Sequence, residues 1–174
     1  MSTHLFFPNS KARACVLGYI ISRFETLREA ANLVADDPME SELSFNHLGV
    51  AVSDIEKALT VYEDLFGYRL LSGPFDDPQQ QASVCFIGTG DPANVVFELV
   101  APLTESSHVA RLLAKGAGAY HVCYDVDDID ATVATLRGKG CLLVSRPTPA
   151  VAFQGRRIAW LYTPTRQLIE LVER

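Results

Sequence analysis

The sequence predicts an α+β fold in which two tandem βαβββ modules form one cupped mixed sheet. An internal repeat is the first reason, since His47–Glu56 returns 74 residues later as His121–Asp130. The second is that Phe97–Val100 returns 72 residues later as Ile169–Val172, so the two copies have nearly equal length. Within each copy, apolar residues recur with the period of a strand, then of a helix, then of strands again.

Composition narrows the class of protein before any motif is considered. The chain has 174 residues, 48% of them hydrophobic, which is enough for one core or two small modules sharing one. Its net charge of −6 opposes general binding to nucleic acid. The longest apolar run, Ala14–Ile21, is far shorter than the roughly 18 residues of a membrane span. The four cysteines show no metal-site spacing, so we expect reduced thiols and a cytoplasmic location.

The first module is predicted to run from residue 43 to 102. Residues 45–52 alternate as a strand, and Ser53 or Asp54 is positioned to cap the helix that follows. Gly67 ends this helix, whose apolar face carries Ile55, Ala58, Leu59, Tyr62 and Leu65. Three strands are predicted to complete the module, at Tyr68–Ser72, Ser83–Ile87 and Val95–Val100.

The second module, residues 119–174, repeats this order. Residues 120–126 form its first strand, and Asp127 or Asp128 caps a helix that ends near Gly138 and Gly140. The apolar face of that helix carries Ile129, Val133 and Leu136. Three strands follow, at Cys141–Ser145, Arg157–Tyr162 and Leu168–Val172.

Other segments connect or precede the modules. Gly73–Pro74 and Pro147–Pro149 are expected to be turns between strands. Residues 103–118 join the modules through a short helix. Residues 1–42 are an N-terminal extension whose apolar spacing predicts an amphipathic helix, packed on the domain or on a partner.

Two histidines and two glutamates occupy matched positions in the repeat. A single histidine on a strand is usually an ordinary core or surface residue, but four matched positions favour a shared site. A glutamate inside an apolar strand costs several kcal/mol unless it is paired, protonated or bound to a metal. Imidazole with carboxylate suits Zn, Ni, Co, Mn or Fe(II). We therefore predict one divalent metal ion, and its ligands are His47, Glu98, His121 and Glu170.

These residues resemble a known family, the vicinal oxygen chelate (glyoxalase / bleomycin resistance / dioxygenase) superfamily. The resemblance covers about residues 45–173 and is carried by Phe45–Ile55, Phe97–Leu99, Tyr120–Ile129 and Leu168–Val172. It is similar to the pattern of glyoxalase I and methylmalonyl-CoA epimerase, and the joining segment is closer to the epimerases. The resemblance implies a cup around a metal ion, with the four matched residues as ligands, and a homodimer.

One position departs from the epimerase pattern. Where the resemblance implies a glutamate base, this chain has Gln79, and an amide cannot accept a proton as a base. Glu170 and Glu98 are then the candidate catalytic carboxylates. Four protein ligands leave two positions of an octahedron for a chelating substrate, and a chelated carbonyl acidifies the neighbouring C–H bond. Proton transfer, as an isomerase, epimerase or lyase, is the expected reaction.

Three further residues are candidates for substrate binding: Gln79, Cys123 beside His121, and Arg156 in a predicted hairpin. His108 lies outside the repeat and is expected to be an ordinary surface residue. Two other functions stay open. One is a non-catalytic small-molecule binding or resistance protein on the same fold. The other is an Fe(II) ring-cleaving dioxygenase, which usually leaves the metal only three protein ligands.

Overall fold

The computed structural model describes residues 43–174. The amphipathic helix predicted within residues 1–42 lies outside the described residues. In the described part, no helix is long and apolar enough to span a bilayer. The elements follow one another as β1 (Ser44–Ala51), α1 (Ile55–Phe66), β2 (Arg69–Asp77), β3 (Ala82–Gly88), β4 (Phe97–Pro102), α2 (His108–Ala114), β5 (Ala119–Val126), α3 (Ile129–Gly138), β6 (Leu142–Pro149), β7 (Arg157–Tyr162) and β8 (Leu168–Glu173).

The eight described strands form one sheet in the order β2-β3-β4-β1-β5-β8-β7-β6. Within each module the first strand is parallel to the last, so β1 pairs with β4 and β5 with β8. The antiparallel pair β1 and β5 joins the modules at the centre of the sheet. The predicted fold class, two βαβββ modules in one mixed sheet, is confirmed.

Helices α1 and α3 each cover one module, and each has an aspartate cap and an apolar face packed against the sheet. Asp54 and Asp128 cap them, because their carboxylates accept hydrogen bonds from the N–H groups of Lys57 and Ala131 at 3.0 and 2.9 Å. Helix α1 ends at Gly67, whose φ of 68° favours glycine. The packed faces bury two apolar clusters, one around Val50, Cys85, Ile87 and Leu99, the other around Val126, Ile129, Val133, Ala159, Leu161 and Leu171.

The prediction that Leu65 belongs to the packed face of α1 is wrong. Its side chain is 68% exposed. The aromatic ring of Tyr62 fills the contact at this end of the helix instead, stacked on Tyr68 and 5.8 Å from the ring of Phe97. These three rings leave Leu65 no position against the sheet.

The two predicted turns at Gly73–Pro74 and Pro147–Pro149 are also wrong, since both segments lie inside strands. Strands β2 and β6, which contain them, are the two edges of the sheet. An edge strand tolerates proline because one side of its backbone has no partner strand. The pairing register shifts in the same places, between Ser72 and Phe75 and between Ser145 and Thr148. Each edge strand is therefore longer than predicted.

The sheet curls so that its two modules meet across the concave face. A 3-10 turn at Val151–Phe153 follows β6 and carries Ala152, which joins an apolar cluster with Val84 and Val100 of the first module. Phe75 of β2 packs against the same cluster. The concave face thus becomes a cup, and its floor is made by the central strands.

Candidate metal centre

The four central strands each contribute one polar residue to the floor of the cup. His47 lies on β1, Glu98 on β4, His121 on β5 and Glu170 on β8. These strands are neighbours in the order β4-β1-β5-β8, and Cys123 of β5 is in register with both His47 and Glu170. All four polar residues are at most 5% exposed. The repeat therefore brings four residues that are distant in sequence to one buried point.

The ligand atoms of these residues lie within 4.8 Å of one another. The Nε2 atoms of His47 and His121 are 3.1 Å apart. Oε2 of Glu98 is 3.4 Å from the first and 3.3 Å from the second. Oε2 of Glu170 is 3.4 and 3.7 Å from the same two nitrogens. Two imidazole nitrogens and two carboxylate oxygens thus converge on one position.

The chemistry of this cluster fits a divalent cation. Within residues 43–174, Oε2 of Glu170, which faces the cluster, is buried without a hydrogen-bond partner. Two imidazole nitrogens facing each other need a proton or a cation between them, since lone pairs repel. Two carboxylates balance a charge of +2, and the mixed N and O donor set suits Zn, Ni, Co, Mn or Fe(II). His47, Glu98, His121 and Glu170 are therefore the residues that would hold the ion.

His47 is held from behind by a chain of hydrogen bonds. Its Nδ1 donates to Oδ1 of Asn46 at 2.8 Å, and Nδ2 of Asn46 donates to Oδ2 of Asp125 at 2.9 Å. The guanidinium of Arg156 lies 3.7 Å from the other oxygen of Asp125. Because Nδ1 carries this hydrogen bond, Nε2 is the nitrogen that faces the cluster. The ring is therefore oriented before any ligand binds.

The carboxylates and imidazoles shift one another's pKa. Burial lowers the pKa of His47, but Glu170 and Glu98 outweigh burial and raise it from 6.5 to about 9. Burial raises the pKa of Glu98, but His121 and His47 outweigh it and lower the pKa to about 2. In the metal-free protein at neutral pH, a proton on His47 therefore partly replaces the charge of the cation.

Metal binding is accordingly expected to release this proton. A metal ligand must be unprotonated, so the apparent dissociation constant should fall about tenfold per pH unit as the pH rises towards about 9. Glu98 is already ionised in this range and adds no further dependence. Calorimetry in buffers of different ionisation enthalpy should count roughly one proton released per metal ion at neutral pH. A His47→Gln variant should bind more weakly and release none, and a pH-independent wild type would contradict the arrangement.

A pocket opens beside the cluster. Glu98 and Glu170 form part of its lining, so both carboxylates face the cluster and the pocket. The other lining residues are Asp77, Gln80, Ala82, Val84, Val100, His108, Tyr120, Ala150, Ala152, Phe153, Ile158 and Trp160, most of them apolar.

The three predicted substrate-binding residues lie outside this lining. Gln79 is exposed and lines a neighbouring cavity of about 910 Å³, whereas the next residue, Gln80, lines both cavities. Arg156 packs over the ring of Phe153, 5.4 Å from its centre, and lies near Asp125. Direct substrate contact by Gln79 or Arg156 stays a prediction, and the position of Arg156 indicates support of the cluster.

Cys123 is in register with His47 and Glu170, so its side chain lies on the cup side of the sheet. It is fully buried beside Phe86 and Phe153, and contact with a substrate stays a prediction. Burial, together with the neighbouring Glu170, raises the pKa of its thiol well above the usual range. The side chain is therefore a neutral thiol beside Glu170 of the cluster.

Two polar residues of the pocket were missed by sequence reasoning. The expectation that His108 is an ordinary surface residue is wrong, because it is half-buried and lines both cavities. Burial lowers the pKa of His108, which leaves a neutral imidazole at neutral pH. Asp77, which ends β2, is 6% exposed and lines the metal pocket. Neither residue has a counterpart in the repeat, so the repeat carries no signal for them.

Known proteins are similar to this chain in sequence and fold. Residues 46–160 match the Glyoxalase/Bleomycin resistance protein/Dioxygenase superfamily. An ethylmalonyl-CoA/methylmalonyl-CoA epimerase of Cereibacter sphaeroides is 32% identical over 119 residues, which cover 67% of this chain and 86% of the relative. A lactoylglutathione lyase of Arabidopsis thaliana is 29% identical over 85% of this chain, which spans 50% of that relative.

A solved structure extends the similarity to three dimensions. The crystal structure of methylmalonyl-CoA epimerase from Mycobacterium tuberculosis superposes with a TM-score of 0.64 at 32% identity. The match covers 74% of this chain and 86% of that one. Epimerases and a lyase are thus among the proteins to which this chain is similar.

Proposed function

Because the chain belongs to the Glyoxalase/Bleomycin resistance protein/Dioxygenase superfamily, we propose that it is a divalent-metal-dependent epimerase that acts on a carboxyacyl thioester of coenzyme A. The observation that carries the proposal is the buried set of two histidines and two glutamates at the base of a pocket. The reaction would move a proton on the carbon next to the thioester carbonyl.

The residues of the centre have two tasks in this reaction. A divalent ion, when bound, would act as a Lewis acid on the carbonyl oxygen and so acidify the neighbouring C–H bond. Glu98 and Glu170 lie on the pocket as well as in the cluster, so each can hold the ion and contact the substrate. We assign proton exchange with the substrate to Glu170, whose carboxylate belongs to the cluster and also lines the pocket.

The shape of the cup supports a thioester with a long arm. The metal pocket has mostly apolar walls, which would exclude water from the reacting carbon. The neighbouring cavity shares four lining residues with it, namely Gln80, His108, Ile158 and Trp160. Nε1 of Trp160 is buried and unpartnered among the described residues, which makes it a donor for a polar atom of the ligand.

Deuterium exchange tests the proposed reaction. The full chain, loaded in turn with each candidate metal, is incubated with methylmalonyl-CoA in D₂O, and mass spectrometry follows deuterium at the carbon between the two carbonyl groups. We expect exchange and interconversion of the two epimers at least 10³-fold faster than with metal-free protein, since Lewis-acid activation contributes several kcal/mol. A mock-loaded sample and the thioester alone provide the background rate.

Three outcomes would replace this proposal with another. Turnover of the methylglyoxal–glutathione hemithioacetal without epimerisation would identify a lactoylglutathione lyase. Oxygen consumption with a catechol in the presence of Fe(II) would identify a ring-cleaving dioxygenase. Saturable binding of a small molecule with no turnover of any of these substrates would favour a binding protein.

A further inference from the structure

Asp77 is the one carboxylate that lines the metal pocket without belonging to the four-residue cluster, among the residues that the structure describes. It ends strand β2 and is 6% exposed. Its Oδ1 accepts hydrogen bonds from the backbone N–H groups of Gln79 and Gln80, at 2.9 and 3.1 Å. These two bonds fix the carboxyl group on the hairpin between β2 and β3, and Oδ2 is left out of them.

Asp77 and Glu170 reach the pocket from different modules. Asp77 belongs to the edge strand of the first module and Glu170 to β8 of the second. Strands β3, β4, β1 and β5 lie between them in the sheet, yet both side chains line one pocket because the sheet curls. A substrate seated between the two modules would therefore meet a carboxylate from each side.

The other polar groups of the pocket are less suited to this role. Gln80 has an amide, which cannot accept a proton as a base. His108 can, but it lines both the metal pocket and the neighbouring cavity, whereas Asp77 lines only the metal pocket. His108 thus lies where the two cavities meet, and Asp77 lies on the chamber that contains the metal ligands.

We propose that Asp77 is the second proton-transfer residue of the reaction, on the face of the substrate opposite Glu170. This inference rests on the proposed function. From one epimer, an oxygen of Asp77 takes the proton as the C–H bond breaks, and the electron pair passes to the carbonyl oxygen to form an enolate. A proton that Glu170 relays from solvent then forms the new C–H bond on the opposite face, and Asp77 releases the proton that it took to solvent before the next turnover. The other epimer reacts in the reverse direction, so no oxidant or reductant is needed.

The test uses Asp77→Asn in the metal-loaded full chain. The variant keeps Oδ1 and hence the two turn hydrogen bonds, but it loses the ability to accept a proton. Each epimer of methylmalonyl-CoA is supplied separately in D₂O. We expect interconversion to fall at least 100-fold in both directions. One epimer should still exchange its proton for deuterium without inverting, while the other should show no exchange.

Deuterium exchange from only one face of the substrate would not result if Asp77 had a merely structural role. Asp76→Asn is the matched control, because Asp76 is the exposed neighbour on the same strand and lines none of the cavities described here. It should exchange and invert both epimers at the wild-type rate. Metal content and thermal unfolding of Asp77→Asn should equal those of the wild type.

Several results would overturn the inference. The inference is wrong if Asp77→Asn still exchanges the proton of both epimers and inverts both. It is also wrong if the variant loses deuterium exchange equally from both epimers. A His108→Gln variant with the one-sided pattern would assign the role to His108. A wild type that binds metal but exchanges neither epimer would overturn the proposed function itself. Because the wild type is measured before any variant, this failure is distinguished from a failure of the inference about Asp77.

Discussion

Replacing Glu98 and Glu170 together with alanine is expected to abolish metal binding. The double variant leaves two imidazoles and no negative charge to balance a divalent ion in a buried site. The wild type should retain one transition-metal ion per chain after purification without chelators, as measured by elemental analysis. The variant should retain none, and its exchange activity should fall to that of metal-free protein.

Thermal unfolding gives a second readout of the same prediction. A ligand that binds only the folded state at 1,000 times its dissociation constant adds about 4 kcal/mol to the free energy of unfolding. Added metal should therefore stabilise the wild type markedly and leave the double variant unchanged. Glu63→Ala with Glu105→Ala is the matched control, since both carboxylates are exposed. A double variant that still binds one ion tightly would refute the assignment of these ligands.

Gly49→Ala is expected to have the second largest effect, although Gly49 carries no functional group. Gly49 lies opposite His121 in the β1–β5 pairing, and a Cβ built on Gly49 would overlap the imidazole ring. Insertion of even one methyl group into a packed core costs typically 1–3 kcal/mol. The ring of His121 can avoid the overlap only by turning away from the cluster. We expect metal affinity to fall at least 100-fold.

Gly138→Ala is the matched control for this substitution. A Cβ at Gly138 meets no atom within 4 Å, and the residue ends helix α3 with an ordinary backbone conformation. It should bind metal as the wild type does and unfold at nearly the same temperature. Titration of both variants with one metal, alongside thermal unfolding, separates loss of the site from loss of the fold. Wild-type affinity in Gly49→Ala would show that His121 does not need this space.

The fold could be predicted from the repeat and the family from the resemblance of the residues around the matched positions, and both are confirmed. The repeat is informative because one βαβββ unit leaves an edge that the second copy covers, so equal copies imply one continuous sheet. The repeat also placed His47 and His121 at matched positions of their strands. That is why local spacing was enough to select four residues that converge in the structure.

The remaining residues of the site depend on how the sheet bends. Proline in an edge strand looks the same in sequence as proline in a turn, so the strand that ends at Asp77 was predicted too short. His108 lies on the helix between the modules, where no repeat constrains it. Both reach the pocket only because distant strands curl towards each other.

The sequence by itself determined the two modules, their order and the four matched candidate ligands, because these follow from periodicity and from the cost of burying charge. Only the tertiary structure decided which other side chains share the pocket, since that depends on contacts between residues far apart in the chain. It placed Arg156 beside Asp125, Cys123 in the core and the ring of His121 against Gly49. The curvature of the sheet, which no local pattern encodes, is the physical reason.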